Sequence, residues 1–502
     1  MKRLPYFLSF MMGFLSLSQE ILWIRLVSFV NFGLPQAFAF TLTFYLLGIG
    51  IGALVGRRIC ARSTSLYRDI VRVLVLAALF DFAAPWLYAA LVHRGAETPV
   101  LAVLLVISAL IKSILFPIVH QLGTDLNSPR MASSFALVYV SNILGSTLGP
   151  LVTGFFLLDV FSLQASFMLL AWLVLAVALA TALVARLPAY GYAGAALLGF
   201  GLAPFALSNS LLTQVANPEF PGAINHLIEN RHGVIATVED KANGDVVLGG
   251  NTYDGRINID LGRNSNFIDR TFVSMALHPH PRRILMIGLS GGAWARIVSA
   301  FPEVRQVDVI EINPGYIELM RHYPEVEPVL RDPRIRIEID DGRRWLKRHP
   351  DETYDVIIMN TTYHWRAYST NLVSDTFLAE VKKHLNPGGL LSYNATGSGD
   401  IVKTAATVFQ HAYRYSNFVL AGDVDFRAEW PNLRGRIEPA LKALTRRAAP
   451  SANEQARLGE IDRARLFMVT ELEQESGRVL EVVTEQNMIT EFKYGRSFLH
   501  SD

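Results

Sequence analysis

Residues 282–301, RRILMIGLSGGAWARIVSAF, predict an apolar strand, a Gly-rich turn and the beginning of a helix. Gly288, Gly291 and Gly292 allow the backbone of the turn to approach a ligand closely, and the helix N-terminus adds free N–H groups. Ser290 lies in the same turn. The turn is a candidate ligand-binding loop, but many α/β turns are rich in glycine, so the following strands must identify the ligand.

Four further apolar strands follow this turn. Their sequences are VRQVDVIEINP (304–314), RIRIEIDDGRRWL (334–346), YDVIIMN (354–360) and LLSYNA (390–395). Strands that alternate with helices predict a parallel sheet that binds its ligand at the carboxyl ends of the strands. The first of these four strands ends in Glu311, and an acid in this position can accept both hydroxyls of a ribose.

The segments around the later strands distinguish between two adenosine ligands, a dinucleotide and S-adenosylmethionine. Asp340, Asp341 and Gly342 end the third strand of the sheet, and the turn NPGG (386–389) precedes the fifth. Both features favour S-adenosylmethionine, with Asp341 near the adenine amino group. Each acid taken alone is more commonly a helix cap, but all the features in this order predict a nucleoside site.

Residues 1–213 are dominated by long apolar runs, whereas residues 214–502 have the composition of a globular protein. A membrane-spanning helix needs about 20 mainly apolar residues. Seven segments qualify, roughly 5–30, 36–56, 70–92, 99–119, 131–157, 163–185 and 191–213. We therefore expect an α-helical transmembrane bundle (1–213), a small antiparallel β region (214–265) and an α/β Rossmann-like domain that binds S-adenosylmethionine (266–502).

The loop GRRICARSTSLYRD (56–69) contains Arg57, Arg58, Arg62 and Arg68, and the positive-inside rule therefore places it in the cytoplasm. The first six predicted helices agree with this orientation. A seventh helix would carry the soluble half to the other side, away from the compartment that makes its nucleoside ligand. The sequence leaves open whether one segment is not a full span or the soluble half faces outward.

Four acidic or basic side chains lie well inside the predicted spans, where they are costly and therefore mark a packing or a functional role. They are Glu20, Arg25, Asp81 and Lys112. We expect pairing between helices, of Glu20 with Arg25 or Lys112, and the alternative is a polar substrate cavity.

Charge and composition exclude several kinds of site. The net charge of +2 gives no basis for nucleic-acid binding. Cys60 is the single cysteine, which excludes an intrachain disulfide framework and a Cys-rich metal centre. His278 and His280 do not have the spacing of metal ligands, and we expect no metal.

Several of these segments together resemble the spermidine synthase (aminopropyltransferase) superfamily. They are HPHPRRILMIGLSGGAWAR, VDVIEINP, DDGRRWL, YDVII and FLAEVKKHLNPGGLL. The N-terminal SQEILWIRLVSFVNFG…FYLLGIGIGALVGRR and the C-terminal EVVTEQNMITEFKYG resemble the membrane-fused spermidine synthase-like proteins, whose helices look like a partial major-facilitator bundle. The resemblance covers nearly the whole chain.

The resemblance implies a transferase in the bacterial inner (cell) membrane. Its co-substrate would be S-adenosylmethionine or decarboxylated S-adenosylmethionine, bound by Gly288, Ser290, Gly291, Gly292, Glu311, Asp340, Asp341 and Gly342. Its expected partners are a small-molecule substrate, the lipid bilayer and, in a homodimer, a second copy of the chain.

The acceptor side departs from the family. The soluble synthases have acids at the positions of Asn360 and Tyr363, where they bind the amine substrate and take its proton. This chain adds His364 and Arg366 nearby. Replacing Asp by Asn removes a general base and a counter-charge, so the pocket should be poorer for polyamines. Arg366 could bind a carboxylate, and His364 is the first candidate for a replacement base.

These four residues, Asn360, Tyr363, His364 and Arg366, are the predicted catalytic group. A structural role, in which His364 packs a lid over the nucleoside, competes with the role as a base. The predicted function is transfer of an aminopropyl-type alkyl group from the sulfonium to an amine or another nucleophile. The alternatives are a methyltransferase or sulfonium lyase that uses the same site, and a transporter or sensor that only binds nucleoside.

Overall fold

The structure is a computed structural model of the 502-residue chain. It describes residues 3–92, 97–125, 129, 131–188, 190, 192, 194, 199, 210–360 and 363–496. The predicted seventh span, 191–213, lies largely outside the described residues.

The N-terminal part consists of apolar helices, most of them long. They are α1 (Leu4–Val30), α2 (Gln36–Arg62), α3 (Leu66–Leu91), α4 (Glu97–Ser113), α5 (Leu115–Gly123), α6 (Met131–Val152), α7 (Leu158–Val160) and α8 (Leu163–Val184). A π-helical turn, Thr153–Leu157, joins α6 to α7. Within the described residues, six helical stretches are long and apolar enough to cross a membrane, and they coincide with the first six predicted segments.

Glycines allow the bundle helices to pack backbone against backbone. A Cβ at Gly145 or Gly149 would overlap the carbonyl oxygen of Phe10 or Phe14 in α1. A Cβ at Gly48 would overlap in the same way with the α4 backbone. Small residues four apart let helices approach this closely.

The buried ion pair of the bundle differs from the predicted one. Lys112 of α4 donates to both carboxylate oxygens of Asp81 in α3, at 2.8 and 2.9 Å. Arg25 instead donates to the carbonyl oxygen of Asn230 in the soluble half (2.6 Å). The expected pairing of Glu20 with Arg25 or Lys112 is therefore wrong, because apolar periodicity does not fix which faces of two helices meet.

The soluble half contains two sheets and the helices around them. The small sheet has β1 (Ile224–Asn230), β2 (Gly233–Val238), β3 (Val246–Gly249) and β4 (Thr252–Arg256). The large sheet has β5 (Arg283–Ile287), β6 (Gln306–Glu311), β7 (Ile335–Ile339), β8 (Tyr354–Met359), β9 (Leu385–Asn394), β10 (His411–Tyr415) and β11 (Phe418–Gly422). The helices are α9 (Leu211–Gln214), α10 (Asp269–Ala276), α11 (Ala293–Val298), α12 (Gly315–Met320), α13 (Gly342–Arg348), α14 (Thr370–Val373), α15 (Asp375–Lys383), α16 (Gly399–Val408), α17 (Leu433–Thr445), α18 (Ala452–Asp462), α19 (Val469–Ser476) and α20 (Ile489–Phe492).

The large sheet places the predicted ligand-binding turns along one edge. Its strand order is β10-β11-β9-β8-β5-β6-β7. The five strands from β9 to β7 are parallel, and β11 and β10 add to the β9 side as an antiparallel hairpin. Because β5, β6, β7 and β8 are parallel neighbours, the segments after them meet at their carboxyl ends. The predicted fold class, a helical bundle followed by a small antiparallel sheet and a Rossmann-like sheet, is confirmed.

The soluble half rests on one end of the bundle. Thr252 donates a hydrogen bond to the carbonyl oxygen of Phe32 (3.2 Å), and the Ala367 N–H donates to that of Gly33 (2.9 Å). The loop between α7 and α8 contributes the Leu163 N–H, which donates to Glu229 Oε2 (2.7 Å). The loop between α1 and α2 therefore contacts both the small sheet and the segment after β8. The predicted domain boundaries, after residues 213 and 265, stay a prediction.

Candidate active site

The Gly-rich turn between β5 and α11 is fixed against β8. Gly288 has a φ of +93°, and a Cβ there would lie 2.5 Å from the carbonyl oxygen of Asn360. Gly292 precedes α11 in the left-handed region, with a φ of +81°. The Ser290 hydroxyl donates to the carbonyl oxygen of Asp254 (2.9 Å). The turn therefore joins β4, β5 and β8 at the site, and a side chain at position 288 would displace Asn360.

Glu311 lies buried at the end of β6, beside this turn. Its Oε2 accepts a hydrogen bond from the Leu289 N–H (2.7 Å), and its Oε1 accepts one from the Asn313 N–H (2.8 Å). Each carboxylate oxygen can accept a second hydrogen bond, so the group remains able to bind a diol. Burial raises the pKa of Glu311 to about 7, although the two N–H donors oppose this.

The two acids after β7 have different environments. Asp340 is buried and interacts with the guanidinium groups of Arg344 and Arg348. Asp341 is half-buried and caps α13, because its Oδ1 accepts from the Arg344 N–H (2.8 Å). Gly342 packs directly against Ile287 of β5. Asp341 is therefore the acid of this pair with an oxygen left for a ligand, and Asp340 holds the turn in place.

A cavity of about 220 Å³ lies next to the Gly-rich turn, and we call it the first cavity. Asn360 and Tyr363 line it together with Tyr253, Asp254 and Arg270. Asp254 and Arg270 are its charged lining residues in the part of the chain that the structure describes. The predicted positions 360 and 363 therefore meet in one cavity, which carries a single acid and a single cation.

Arg270 of α10 presents a buried guanidinium to the first cavity. It donates to the carbonyl oxygens of Phe267 (2.8 Å) and Asn266 (3.2 Å) and to the side-chain oxygen of Asn417 (2.5 Å). All three acceptors are uncharged. Burial lowers the pKa of Arg270 to about 10, so the group remains a cation at neutral pH and is suited to a carboxylate ligand.

Asp254 of β4 is the acid of the first cavity. The Tyr316 hydroxyl donates to its Oδ2 (2.6 Å), and burial raises its pKa against the effects of Tyr316, Ser290 and Arg366. The sequence-based prediction missed both Asp254 and Arg270. For Asp254 the available signal was the acid followed by glycine in NTYDG (251–255), within the alternating pattern of the small sheet.

His364 and Arg366 do not line the first cavity. The His364 ring lines a second cavity of about 470 Å³, its Nδ1 contacts the Thr396 hydroxyl, and burial lowers its pKa to about 4. Arg366 inserts between Gly33 and Gly250, on the side of Asp254 that faces the bundle. His364 is therefore neutral near pH 7, and its role as the base stays a prediction.

Comparison with known proteins locates a family in this region. The family model described as "Spermine/spermidine synthase domain" matches residues 270–414. This stretch includes Arg270, the Gly-rich turn, Glu311, Asp341 and Asn360. Residues 270–414 of the soluble half are therefore similar to this family. The resemblance stated from the sequence is therefore confirmed for this domain.

Curated relatives match the synthase domain over part of their length. A polyamine aminopropyltransferase of Agathobacter rectalis is 36% identical over 124 residues, which cover 24% of this chain and 43% of the relative. The Streptococcus pneumoniae polyamine aminopropyltransferase is 32% identical over 122 residues, 24% of this chain and 42% of the relative. A spermidine synthase of Solanum lycopersicum is 32% identical over 126 residues, 25% of this chain and 36% of the relative. The chain thus spans less than half of these relatives.

Two solved structures also resemble the chain. A spermidine synthase in complex with the transition-state analogue AdoDATO has 18% sequence identity and a TM-score of 0.42, and covers 51% of this chain and 88% of its own. The Thermotoga maritima spermidine synthase has 18% identity and a TM-score of 0.40, and the match covers 51% of this chain and 87% of the synthase chain.

Proposed function

We propose that the protein is a membrane-bound transferase that moves an aminopropyl-type alkyl group from a sulfonium nucleoside to an amine. One observation supports the proposal most directly. The Gly-rich turn, Glu311 and Asp341 lie together at one edge of the large sheet. A cavity lined by Asn360 and Tyr363 lies beside them. Glu311 would accept the ribose hydroxyls and Asp341 the adenine amino group. The sulfonium carbon would then face the first cavity.

The proposed reaction is a displacement at carbon. The amine lone pair attacks the alkyl carbon attached to the sulfonium sulfur, the carbon–sulfur bond breaks, and its electron pair neutralises the sulfur. The amine nitrogen loses one proton. The products are the alkylated amine, methylthioadenosine and a proton. The chain supports this step by holding the nucleophile in line with the carbon in a walled cavity, which removes most of the entropic cost of the encounter.

Arg270 favours a donor that keeps its carboxylate. A diamine or a decarboxylated donor brings only positive charge to the first cavity, where one acid, Asp254, already has Tyr316 and Arg366 as partners. S-adenosylmethionine brings a carboxylate, which Arg270 can bind with two parallel hydrogen bonds. With S-adenosylmethionine as the donor, the transferred group is a three-carbon chain that carries both an amino group and a carboxylate.

The test is product analysis with the full chain purified in detergent. With an amine acceptor and either sulfonium donor, we expect methylthioadenosine to accumulate with the alkylated amine. Adenosylhomocysteine would show a methyltransferase, and methylthioadenosine without alkylated amine would show a lyase. Binding of the donor without either product would show a nucleoside sensor or transporter and would contradict the proposal.

Arg270→Gln is expected to raise KM for S-adenosylmethionine by about 10- to 100-fold, because a hydrogen bond between two charged groups contributes about 1.5–3 kcal/mol. KM for the decarboxylated donor should hardly change. Arg263→Gln, at an exposed arginine shortly before α10, is the matched control. Equal losses for both donors would contradict a contact with the donor carboxylate.

We also propose that the soluble half lies on the non-cytoplasmic face of the membrane. It contacts the α1–α2 and α7–α8 loops, whereas Arg57, Arg58 and Arg62 lie at the opposite end of α2. Positive charge marks the cytoplasmic end of a bundle. The donor would then have to reach the site across the membrane.

The residues that lead into the soluble half support the same orientation. The N–H groups of Ser210 and Leu211 donate to Gln164 at the beginning of α8, at 2.9 and 3.1 Å. The other end of α8, Val184, lies about 30 Å from Gln164 along the helix axis. The chain therefore enters the soluble half at the bundle end that is remote from the arginine-rich loop.

Reporter fusions in a bacterial host test this orientation. Alkaline phosphatase fused to the C-terminus should be active, and green fluorescent protein at the same position should be dark. The reciprocal control places each reporter after Arg62, where the activities should be exchanged. Fluorescence at the C-terminus with an inactive phosphatase there would place the site in the cytoplasm.

A further inference from the structure

The second cavity, of about 470 Å³, adjoins the first, and Tyr253 and Tyr363 line both. It lies where the soluble half meets the bundle, because Phe32 of the α1–α2 loop forms part of its wall. Aromatic rings surround it, and those of Tyr363 and Trp365 stack with centroids 5.2 Å apart. A molecule in the second cavity therefore reaches the first one past the Tyr363 side chain.

Two side chains of opposite charge line this cavity and do not form an ion pair with each other. Glu219 and Arg496 both face it, and among the described residues neither has an ion-pair partner within 4.0 Å. The Arg496 guanidinium stacks on the rings of Phe32 (4.6 Å) and Trp365 (5.7 Å), which fixes its position. Burial raises the pKa of the Tyr363 hydroxyl, the nearby Glu219 charge adds to this, and the Arg496 charge opposes it. Both charges therefore lie close enough to act on Tyr363.

The turn that carries Glu219 is held in place by its own hydrogen bonds. The Glu219 N–H donates to the Asn217 side chain (3.0 Å), and the Asn217 N–H donates to the buried Asn251 side chain (2.7 Å). The backbone of Glu219 thus has a defined position at the rim of the cavity. A carboxylate beside several aromatic rings is the environment that binds an alkylammonium group. A guanidinium stacked on aromatic rings binds a carboxylate or a phosphate.

We propose that the second cavity binds a zwitterionic group of the acceptor, with its ammonium at Glu219 and its anionic group at Arg496. This inference rests on the proposed transfer to an amine and names the acceptor class, an amine that carries an ammonium and an anionic group a few bonds apart. Glu219 supplies the counter-charge that Asn360 and Tyr363 lack. The zwitterion has two sources: a free diamino acid, whose second amine is then the nucleophile, and an aminophospholipid headgroup at the membrane surface, whose single nitrogen is the nucleophile once its ammonium has lost a proton.

The test compares two probes that differ by one carboxylate, ornithine and putrescine. Binding to the full chain in detergent, saturated with methylthioadenosine, is measured by calorimetry. Ornithine should bind at least roughly tenfold more tightly. Arg496→Gln should remove this difference, and Glu219→Gln should weaken both probes. The matched controls, Arg463→Gln and Glu325→Gln at exposed positions of the soluble half, should bind as the unaltered protein does.

A second experiment, with lipids, distinguishes the two sources of the zwitterion. Native mass spectrometry counts the phosphatidylethanolamine and phosphatidylcholine molecules that the protein retains from bilayer nanodiscs. Loss of phosphatidylethanolamine in Arg496→Gln, without ornithine binding by the unaltered protein, supports the headgroup. Equal binding of ornithine and putrescine, together with unchanged lipid retention in both variants, overturns the inference. Methylthioadenosine binding is the separate readout, since its absence from the unaltered protein would contradict the proposed function itself.

Discussion

Glu311→Gln is expected to weaken the binding of methylthioadenosine by roughly 100-fold. The Glu311 carboxylate is buried at the end of β6, and each of its oxygens already accepts one backbone N–H. A ribose diol would add one hydroxyl to each oxygen. Hydrogen bonds to a charged group contribute about 1.5–3 kcal/mol each, and an amide retains one of the two acceptors without the charge. Calorimetry on the detergent-purified chain measures the change.

The pH dependence of this binding gives a second, independent readout. Burial raises the pKa of Glu311 to about 7, and the carboxylate form is the one that accepts two hydroxyls. Affinity should therefore rise between pH 6 and pH 8 in the unaltered protein and stay flat in Glu311→Gln. Stability of the ligand-free protein should follow the opposite sign. Because the folded state holds the Glu311 proton more tightly than the unfolded state does, this group favours the folded state below about pH 4.5. The contribution is lost as the pH rises through 7.

The control for this experiment lies on the next helix. Glu318 of α12 is exposed, and Glu318→Gln removes the same charge without touching the sheet edge. Methylthioadenosine should bind this variant as tightly as the unaltered protein, with the same pH profile. If Glu311→Gln binds as well as Glu318→Gln does, the assignment of Glu311 to the ribose is wrong.

The sheet edge proposed to bind the nucleoside could be predicted from the sequence because its residues lie at the ends of parallel strands. Gly288, Glu311 and Asp341 each stand at or just after the end of a strand, and parallel pairing of neighbouring strands brings such positions together. The same reasoning placed Asn360 correctly after β8. A local sequence pattern is sufficient to predict site residues wherever the order of the strands alone decides which residues become neighbours.

The acceptor side could not be predicted in this way. Asp254 comes from the small antiparallel sheet and Arg270 from α10, and tertiary packing alone brings them to the first cavity. His364 follows Tyr363 in the chain but lines the second cavity and not the first, since successive side chains in an irregular segment need not point the same way. Arg366 reaches Gly33 in the bundle, a contact between distant parts of the chain that no motif signals.

Lys112→Met is expected to destabilise the bundle by about 3–5 kcal/mol, the second large effect. Lys112 and Asp81 are 1% and 2% exposed, and the ammonium donates to both carboxylate oxygens and to the Ser108 hydroxyl. Removing one partner of a buried pair leaves the other charge without compensation. Thermal unfolding of the full chain in detergent should show the loss as a large fall in Tm.

The double variant Asp81→Asn, Lys112→Met distinguishes packing from function. Replacing both charges should recover most of the stability, because the cost of the single change is the uncompensated carboxylate and not the lost attraction. Equal stability of the single and double variants would contradict this account. If the double variant is as stable as the unaltered protein and forms methylthioadenosine at the same rate, the pair serves to join α3 to α4. A stable double variant with slow product formation would instead give the pair a part in delivering the donor or the acceptor to the soluble half, since the two residues lie inside the bundle and outside both cavities.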